Sequence, residues 1–538
     1  MRVTFIRALL WISLLVPAGC GKAGPSSSEI DAAIRIRLAA MGRGAASVQG
    51  QRLLQPAVLA RFYEGRKGAH AWDGGDAEQI VQSVRDIVQD GLSPADYHLA
   101  ALERIRDSAR ARSVPALAAD LDILLTDAVA GMMDHTRFGR VRPVTLDSTW
   151  NVDPRAGAPP LESTLARIVE AGSPRQAIEE RKPTHFIYLG LKRALAQLRE
   201  VPAPGWPRVP AGKTIRPGAG DPRIPTIRAR LAATGELQGA PGSSTAYDPE
   251  LRKAVELFQA RHRLNPDGVI DKDMIDALNV SAAARADQVR VNMERARWIL
   301  PGLGDEFLLV NLPAYKAYLI RGGRNVWETR TQVGDEGKQT PSFRATLRTI
   351  VFNPDWTVPP MILRDEVSKG MRAGKNYIAQ KGLVVTDKNG QEVDPTSVDW
   401  DQADAGDFPF TVQQPPGPDN ALGKVKFLFP NPYSIYLHDT PSKGSFEAEK
   451  RTFSHGCIRI ERPLELAGLL LAGQDSWGDA KIQDAVANGA TQNVDLTHPI
   501  PVVIVYWTVS VGSSGEVRYM RDIYGLDNRV LAALCARR

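Results

Sequence analysis

"YLHDTPSKGSFEAEKRTFSHGCIRIERP", residues 436–463, decides how the rest of this chain is read. The 538-residue protein has three cysteines and eight histidines, yet Cys457, His438 and His455 fall within twenty positions here. Three readings compete: a metal site, a nucleophile with its base, or a buried thiol beside two ordinary imidazoles. Zinc sites built from Cys and His usually show close ligand pairs, and four ligands when structural. Here there are three candidates and no second cysteine nearby, although His455 and Cys457 flank one glycine, a spacing that aims both the same way on a strand. The nucleophile reading explains more residues. A thiol is largely protonated at neutral pH, so a catalytic cysteine needs an adjacent base and positive surroundings. An imidazole on a neighbouring strand can take the proton, its tautomer fixed by a third group, often a backbone carbonyl. Gly456 allows close backbone approach, and main-chain N–H groups around Gly456 and Cys457 can hold a developing oxyanion. Arg459 can steady the thiolate or a substrate carboxylate. Any one of these residues alone reads as core; the cluster reads as a nucleophile.

Outward from this stretch, the length calls for two to four domains at the usual ~100–200 residues each. Hydrophobic residues make up 43% and charged residues 24%, as in globular proteins, and a net charge of +6 with both signs interspersed carries no nucleic-acid signal. The start, "MRVTFIRALLWISLLVPAGC", has basic Arg2 and Arg7, an apolar run from Ala8 to Val16, and small residues before Cys20. That is a secretory signal, and no later stretch reaches the ~18 apolar residues of a membrane helix. Ala18-Gly19-Cys20 resembles a bacterial lipoprotein processing site, which would lipidate Cys20; Pro17 departs from that pattern. With Cys20 so used, Cys457 and Cys535 are too few for a disulfide framework, and a thiol kept free after export needs a reason. Cys535 reads as a helix-face residue.

Residues 21–29 read as a tether. From 30 to 201 the pattern is helical: in "AEQIVQSVRDIVQDGLSPADY", Ile80, Val81, Val84, Ile87 and Val88 share a face before Gly91 and Pro94 stop it. Arg137, Arg140 and Arg142 read as a solvated face. Six prolines in residues 202–222 mark a boundary. Beyond it, Asp248-Pro249 starts a helix whose predicted core face is Ala254, Val255, Leu257 and Phe258. From Asp305, β-branched and aromatic runs broken by Gly, Pro and Asn predict a mostly-β region, interrupted by a polar insertion over about 363–410.

The stretch from His438 through Thr440-Pro441 to Ser454-His455-Gly456-Cys457-Ile458-Arg459 resembles the L,D-transpeptidase catalytic signature, with fifteen residues between His438 and Ser454. Phe258-Gln259, Asp267-Gly268 and Ala277-Leu278-Asn279 resemble a three-helix peptidoglycan-binding module, although Val269-Ile270-Asp271 lacks that family's second glycine. Asn353, Trp356 and Pro359-Pro360 match the family's "FNPxWxVPP" wall of the substrate channel; Gln339-Thr340-Pro341 also fits the pattern but suggests no chemistry. The resemblance implies a multidomain α+β protein of the long periplasmic subgroup: signal (1–20), tether (21–29), helical scaffold (30–201), peptidoglycan-binding module (221–280), catalytic domain (305–510) with a capping insertion, and a C-terminal extension (511–538). It implies Cys457 as nucleophile and His438 as base, with the main chain at Asp439 orienting the ring. It gives Ser454, His455, Gly456 and Arg459 supporting or oxyanion roles. The implied reaction is 3→3 cross-linking of tetrapeptide stems through a cysteine thioester with loss of D-alanine, without metal or other cofactor, and with acylation by carbapenems. Peptidoglycan stems are the expected partners, carboxypeptidases and peptidoglycan synthases candidate ones, and the membrane a partner if Cys20 is acylated; a periplasmic, Gram-negative location follows. Alternatives are an L,D-carboxypeptidase, a lipoprotein-anchoring or -releasing enzyme, a non-catalytic wall-binding scaffold, and an unrelated cysteine peptidase.

Overall fold

The computed structural model describes residues 25–536 apart from 43, 45, 113, 149, 475, 476, 513 and 514. The signal stretch with Cys20, and residues 21–24 of the tether, lie outside the described residues. The chain is multidomain α+β and divides into two compact units, one made of the residues up to Ile87 with Ser93–Met133 and Pro159–Arg181, the other of Val88–Leu92, Asp134–Ala158 and everything from Lys182.

The first unit is helical, with α1 (Pro56–Gly65), α2 (Asp76–Asp86), α3 (Leu99–Arg112) and α4 (Leu161–Val169) among its elements. Ile80, Val81, Val84 and Ile87 are fully buried, as the i, i+3/i+4 spacing requires, whereas Val88 is half-buried. Buried carboxylates pin its loops. Asp122 accepts from Tyr63 Oη (2.6 Å) and the Trp72 amide (2.9 Å), and burial pushes its carboxyl up to about 6. Asp127 accepts from the Leu54 and Gln55 amides and faces His98 Nε2 at 2.7 Å.

The second unit begins its regular structure with α5 (Phe186–Arg199), which lies inside the stretch predicted as scaffold yet packs elsewhere. Its Tyr188, Leu191 and Leu195 share a core with Val289, Met293 and Ile299 of a long helix further on. Between them come α6 (Ile224–Ala233), α7 (Pro249–Arg261) and α8 (Lys272–Leu278), followed by that helix, α9 (Ala282–Ile299). Asp248 caps α7 by accepting from the Leu251 amide (2.8 Å), with Pro249 next. The face of α7 that is buried runs through Leu251, Ala254, Val255 and Phe258. Leu257 is 41% exposed, correcting its assignment to that face: it lies one residue before Phe258, about 100° round the helix.

The resemblance residues of this module hold its own fold. Phe258 is fully buried, and its ring stacks on His262 with centroids 3.7 Å apart. Gln259 clamps the following turn, donating to Val269 O (2.9 Å) and accepting from the Gly268 amide (2.9 Å). Asp267 is exposed but its carboxylate accepts from the Val269 amide two residues on, and Gly268 takes φ +77°. All four therefore help to hold the module's own core and turn.

The strands of the second unit are β1 (Phe307–Asn311), β2 (Lys316–Arg321), β3 (Arg324–Gly334), β4 (Phe343–Phe352), β5 (Trp356–Thr357), β6 (Val384–Thr386), β7 (Thr411–Gln414), β8 (Val425–Leu428), β9 (Leu437–His438), β10 (Thr452–Ser454), β11 (Ile458–Ile460), β12 (Gln492–Val505), β13 (Val509–Val511) and β14 (Val517–Tyr519). Among the described residues the main sheet has nine strands in the order β10-β3-β11-β9-β8-β4-β12-β1-β2, and β3 also pairs with β2, so the run closes on itself. Closure leaves β10, paired with β3 alone, as the strand with an open edge among the described residues. Leu308, Val310, Leu347, Ile350, Phe352, Phe427, Leu437, Ile458 and Ile504 fill its interior, while Phe307, Leu309, Val503 and Val505 meet α5 and α9 on the other face. β1 is buried at all five positions, which is why it reads as four apolar residues in a row before Asn311, whose side-chain oxygen accepts from the Trp507 amide (3.1 Å).

The polar insertion folds as a lobe with its own sheet, β5-β7-β6, and its own core of Val358, Val367, Leu383, Trp400 and Val412. That sheet reaches outside 363–410 on both sides. One turn of π-helix, Leu363–Ser368, runs through it. Near the end of the chain, Arg140 is 3% exposed and donates to Ala533 O (2.9 Å) and Ala536 O (2.7 Å) at the close of the last helix, Asp527–Cys535. It is not part of a solvated face: it satisfies carbonyls that a helix end leaves unpaired. Cys535 is exposed on that helix.

Replacing Phe258 with alanine is expected to destabilise the module by about 3–5 kcal/mol, whereas Leu257→Ala should cost under about 0.5 kcal/mol. Urea unfolding of both variants followed by tryptophan fluorescence checks this; equal losses would contradict the helix orientation.

Candidate active site

The site is built by register. β9 and β11 run parallel with Leu437 opposite Ile458 and His438 opposite Arg459, and the Ile458 amide donates to Tyr436 O at 3.1 Å. Lys426 of β8 stands opposite His438 on its other side, and Gln332 of β3 opposite Arg459. Side chains alternate along strands, so Lys426, His438, Arg459 and Gln332 form a row across four strands, with Tyr436 and Cys457 two residues upstream of His438 and Arg459. Tyr436, His438, Ser454, His455, Cys457 and Arg459 all line one cavity of about 420 Å³. The lobe supplies the facing wall, including Trp356, Pro359, Glu366, Val367 and Tyr377.

His438 is 4% exposed, and its Nδ1 lies 2.5 Å from Asp439 O. A carbonyl only accepts, so Nδ1 carries the proton and Nε2 keeps its lone pair. Burial, reinforced by Arg459, pulls the imidazole down to about 3, which keeps it neutral. The carbonyl that orients it is itself fixed. The Asp439 amide donates to Val425 O, and its carboxylate takes the Lys424 amide (2.9 Å) and the Lys443 ammonium. Gly423, at φ +59°, makes room: a Cβ there would fall 2.5 Å from Asp439 Cγ.

Cys457 is half-buried, and its thiol makes a long contact (3.8 Å) to Ser434 O. Burial pushes the thiol up from its ordinary range; hydrogen bonding to Tyr436 and the charges of Lys426 and Arg459 pull the other way. Lys426 Nζ sits 4.0 Å from the Tyr436 ring centroid, and burial lowers its ammonium. Arg459 donates to Gln332 Oε1 (3.2 Å), while its buried Nε–H has no partner among the described residues.

The turn before Cys457 is held by two hydroxyls. Ser454 Oγ donates to Cys457 O (2.5 Å) and accepts from the Gly456 amide (3.1 Å). Thr340 Oγ1 donates to Gly456 O (2.8 Å) and accepts from the Gly334 amide (2.9 Å). Gly456 takes φ +116°, a value that L side chains rarely adopt, so His455 and Cys457 are not successive same-face residues of one strand. Because the Gly456 amide is already donating, it corrects the expectation of an oxyanion donor there; the Cys457 amide has no partner among the described residues.

His455 points at the lobe. Its Nε2 is 2.7 Å from Glu366 Oε1, and Tyr377 Oη donates to Glu366 Oε2 at 3.2 Å. Trp356 and Pro359 reach the cavity, but Pro360 does not line it, and Asn353 is placed away from it. The Asn353 amide donates to Ala485 O (2.9 Å) and Ala490 O (3.2 Å) from an αL residue at φ +44°, closing a strand end instead of touching a ligand. Lys426, Tyr436, Gln332, Glu366 and Thr340 belong to the site without having been assigned to it. For Thr340 the Gln-Thr-Pro pattern was a visible signal; the others needed the strand register or the lobe's placement. Among the described residues no group of three or more His, Cys, Asp or Glu has metal-binding geometry.

With this geometry in hand, comparison with known proteins gives concordant matches. The model of the L,D-transpeptidase catalytic domain matches residues 305–504. The chain carries an L,D-transpeptidase catalytic domain. A putative peptidoglycan-binding domain matches residues 220–278, and a scaffold domain matches 57–195. A putative L,D-transpeptidase of Haemophilus influenzae is 33% identical over 243 residues, 45% of this chain, and the match spans 48% of that relative's length. Two solved L,D-transpeptidases also align. That of Xylanimonas cellulosilytica is 14% identical over 55% of this chain and 99% of its own (TM-score 0.18), and that of Stackebrandtia nassauensis is 12% identical over 56% and 96% (TM-score 0.21). At such scores neither likeness bears on fold or activity.

A raised thiol beside a neutral imidazole means that Cys457 is protonated at neutral pH. Its alkylation by iodoacetamide should therefore climb steadily as pH rises and still be climbing at pH 9, and Lys426→Met should push the midpoint higher. A rate already level between pH 5 and 7, as for a preformed thiolate–imidazolium pair, would contradict the assigned charges.

Proposed function

We propose that this protein is a peptidoglycan L,D-transpeptidase that forms 3→3 cross-links through a thioester on Cys457. The observation that carries the reading is the pairing of β9 with β11, which sets a bare imidazole nitrogen and a thiol on one cleft wall of an L,D-transpeptidase catalytic domain.

Cys457 attacks the carbonyl of the L-centre of the third residue in a tetrapeptide stem. His438 Nε2 takes the thiol proton, and the Cys457 amide donates to the oxyanion. Collapse of the tetrahedral intermediate breaks the bond to D-alanine, whose nitrogen receives the proton from His438. A side-chain amine of a neighbouring stem's diaminopimelate then attacks the thioester, its proton leaves through His438, and the sulfur departs as the thiol. Arg459 and Lys426 stabilise sulfur whenever it is anionic. Tyr436 donates to it. Thr340 and Ser454 act as positioning residues, fixing the carbonyls on either side of the Gly456–Cys457 peptide bond. Trp356 and Pro359 supply apolar wall against which the stem lies, and the lobe limits water at the thioester, favouring amine over hydrolysis. The peptidoglycan-binding domain supports a cell-envelope substrate, and lipid attachment at Cys20 would tether the enzyme to a membrane. Among the described residues no helix is long and apolar enough to cross one.

Mass spectrometry of tetrapeptide muropeptides incubated with the protein and its Cys457→Ala variant tests this. Tripeptide–tetrapeptide dimers are expected from the parent alone, with a loss of about 10⁴-fold or more in the variant. Tripeptide monomers alone would make the protein a carboxypeptidase, and no thiol-dependent product would leave a wall-binding scaffold. Thr340→Val, which removes the hydroxyl but keeps the shape, should lower kcat about tenfold or more with KM little changed, the pattern of a lost transition-state contact.

A further inference from the structure

A second cavity, of about 430 Å³, lies away from the cleft, where the ends of α5, α6 and α7 meet the first turns of α9 and strand β14. Three guanidiniums line it: Arg230, Arg261 and Arg285. Arg261 is spent on Glu236, at 2.7 Å, whose other oxygen takes the Thr234 hydroxyl. Glu516, also on the wall, is paired with Arg518 at 2.8 Å. Arg230 and Arg285 have no carboxylate within ion-pair distance among the described residues. Arg230 is 1% exposed and donates to Leu278 O (2.8 Å) and Thr234 Oγ1 (2.9 Å). Arg285 is 7% exposed and donates to Gln288 Oε1 (2.8 Å), and its buried Nε–H has no partner among the described residues.

Both guanidiniums are held in place by rings. Arg230 lies over Trp206 at 4.1 Å and Arg285 over Tyr519 at 4.4 Å. Tyr519 stacks in turn on His262 (5.4 Å), which stacks on Phe258. Burial lowers both guanidiniums to about 10, so each keeps its charge at neutral pH, while the same burial and the neighbouring guanidiniums hold His262 neutral. His262 Nδ1 is engaged with Phe258 O (2.9 Å) and contributes no counter-charge. Two preorganised cations thus face a ligand-sized space: Arg285 has no carboxylate of its own, and Arg230 feels the Glu236 carboxylate only at a distance, since that group is already paired with Arg261. Buried charge is costly unless paired, and a planar guanidinium is paired best by a planar carboxylate. Gln197, Ala233 and Gly515 on the rim are exposed, so the space opens to solvent.

We propose that this cavity is an anion site that takes the carboxylate of a short peptide, with Arg285 and Arg230 as its charged wall and Trp206 and Tyr519 as the flat faces beside it. Attributing that carboxylate to a peptidoglycan stem rests on the function proposed above; the site itself does not. Such a site would hold one stem on the peptidoglycan-binding domain while another occupies the cleft.

The test is isothermal titration of the full chain carrying Cys457→Ala, which cannot turn over, with a soluble stem tetrapeptide, its fully amidated counterpart, and inorganic phosphate. A carboxylate-dependent site is expected in addition to the cleft, absent for the amidated peptide. Adding Arg285→Gln should weaken it at least about tenfold, and Arg285→Lys should restore part of the loss. Equal binding with and without Arg285→Gln would overturn the proposal, as would phosphate binding without peptide binding. So would a joint fall in affinity and melting temperature for both Arg285 variants, since that marks a purely structural guanidinium. Acylation by a carbapenem of the chain carrying Arg285→Gln with Cys457 intact reports on the cleft separately. Its absence in the parent as well would count against the transpeptidase reading and leave the Arg285-dependent binding standing.

Discussion

Everything in the cleft depends on one piece of backbone register, the parallel pairing that sets His438 opposite Arg459 and, one step earlier, Leu437 opposite Ile458. Side chains alternate across a sheet, so a slip of one residue would turn His438 or Cys457 into the interior and bring Leu437 or Ile458 out. The fully buried Leu437 and Ile458 therefore guard the register by the cost of exposing them. A parallel pair also needs a long crossover. Here the crossover is pinned at three points: Lys443 to Asp439, Phe446 buried completely, and Arg451 donating to Thr331 O (3.1 Å) and Ala448 O (2.8 Å). The loop carrying Ser454 and Gly456 thus returns to β11 with little freedom left.

The same constraint explains what was legible in the sequence. Cys457, His455, Gly456 and Ser454 are contiguous, and their chemistry is written in one short string. His438 is separated from them, but it ends a strand-like run, and an imidazole there is conspicuous in a chain with few of them. Lys426, Gln332 and Tyr436 look like ordinary strand residues until it is known which strands are neighbours. Glu366 was hidden differently: it lies in a polar insertion whose charges look solvated, and only the fold of the lobe turns its carboxylate toward His455. Asn353 shows the opposite failure. Its pattern position suggested a channel wall, whereas its αL backbone and two carbonyl partners make it a strand terminator. At Leu257 the error was one of helical phase, since four apolar residues in five cannot all share one face of a helix.

The electrostatics of the cleft follow from burial more than from any single pair. A neutral imidazole and a protonated thiol cost little to bury, whereas their charge-separated form would have to be solvated by the protein. The wall provides for that form in advance: the Lys426 ammonium and the Arg459 guanidinium stand beside the sulfur, and Tyr436 hydrogen-bonds to it. Burial lowers the proton affinity of both cations, a cost that a resting neutral thiol does nothing to offset. Their interaction with sulfur strengthens only as negative charge develops there, so the stabilisation is differential. Arg459 keeps an unpaired buried Nε–H beside the reacting groups, a cost that a purely structural arginine would be expected to avoid. In the proposed reaction the depressed imidazole fits the same logic: burial, with Arg459 beside it, makes His438 a weak base, and a weak base would return a proton readily to a leaving amine.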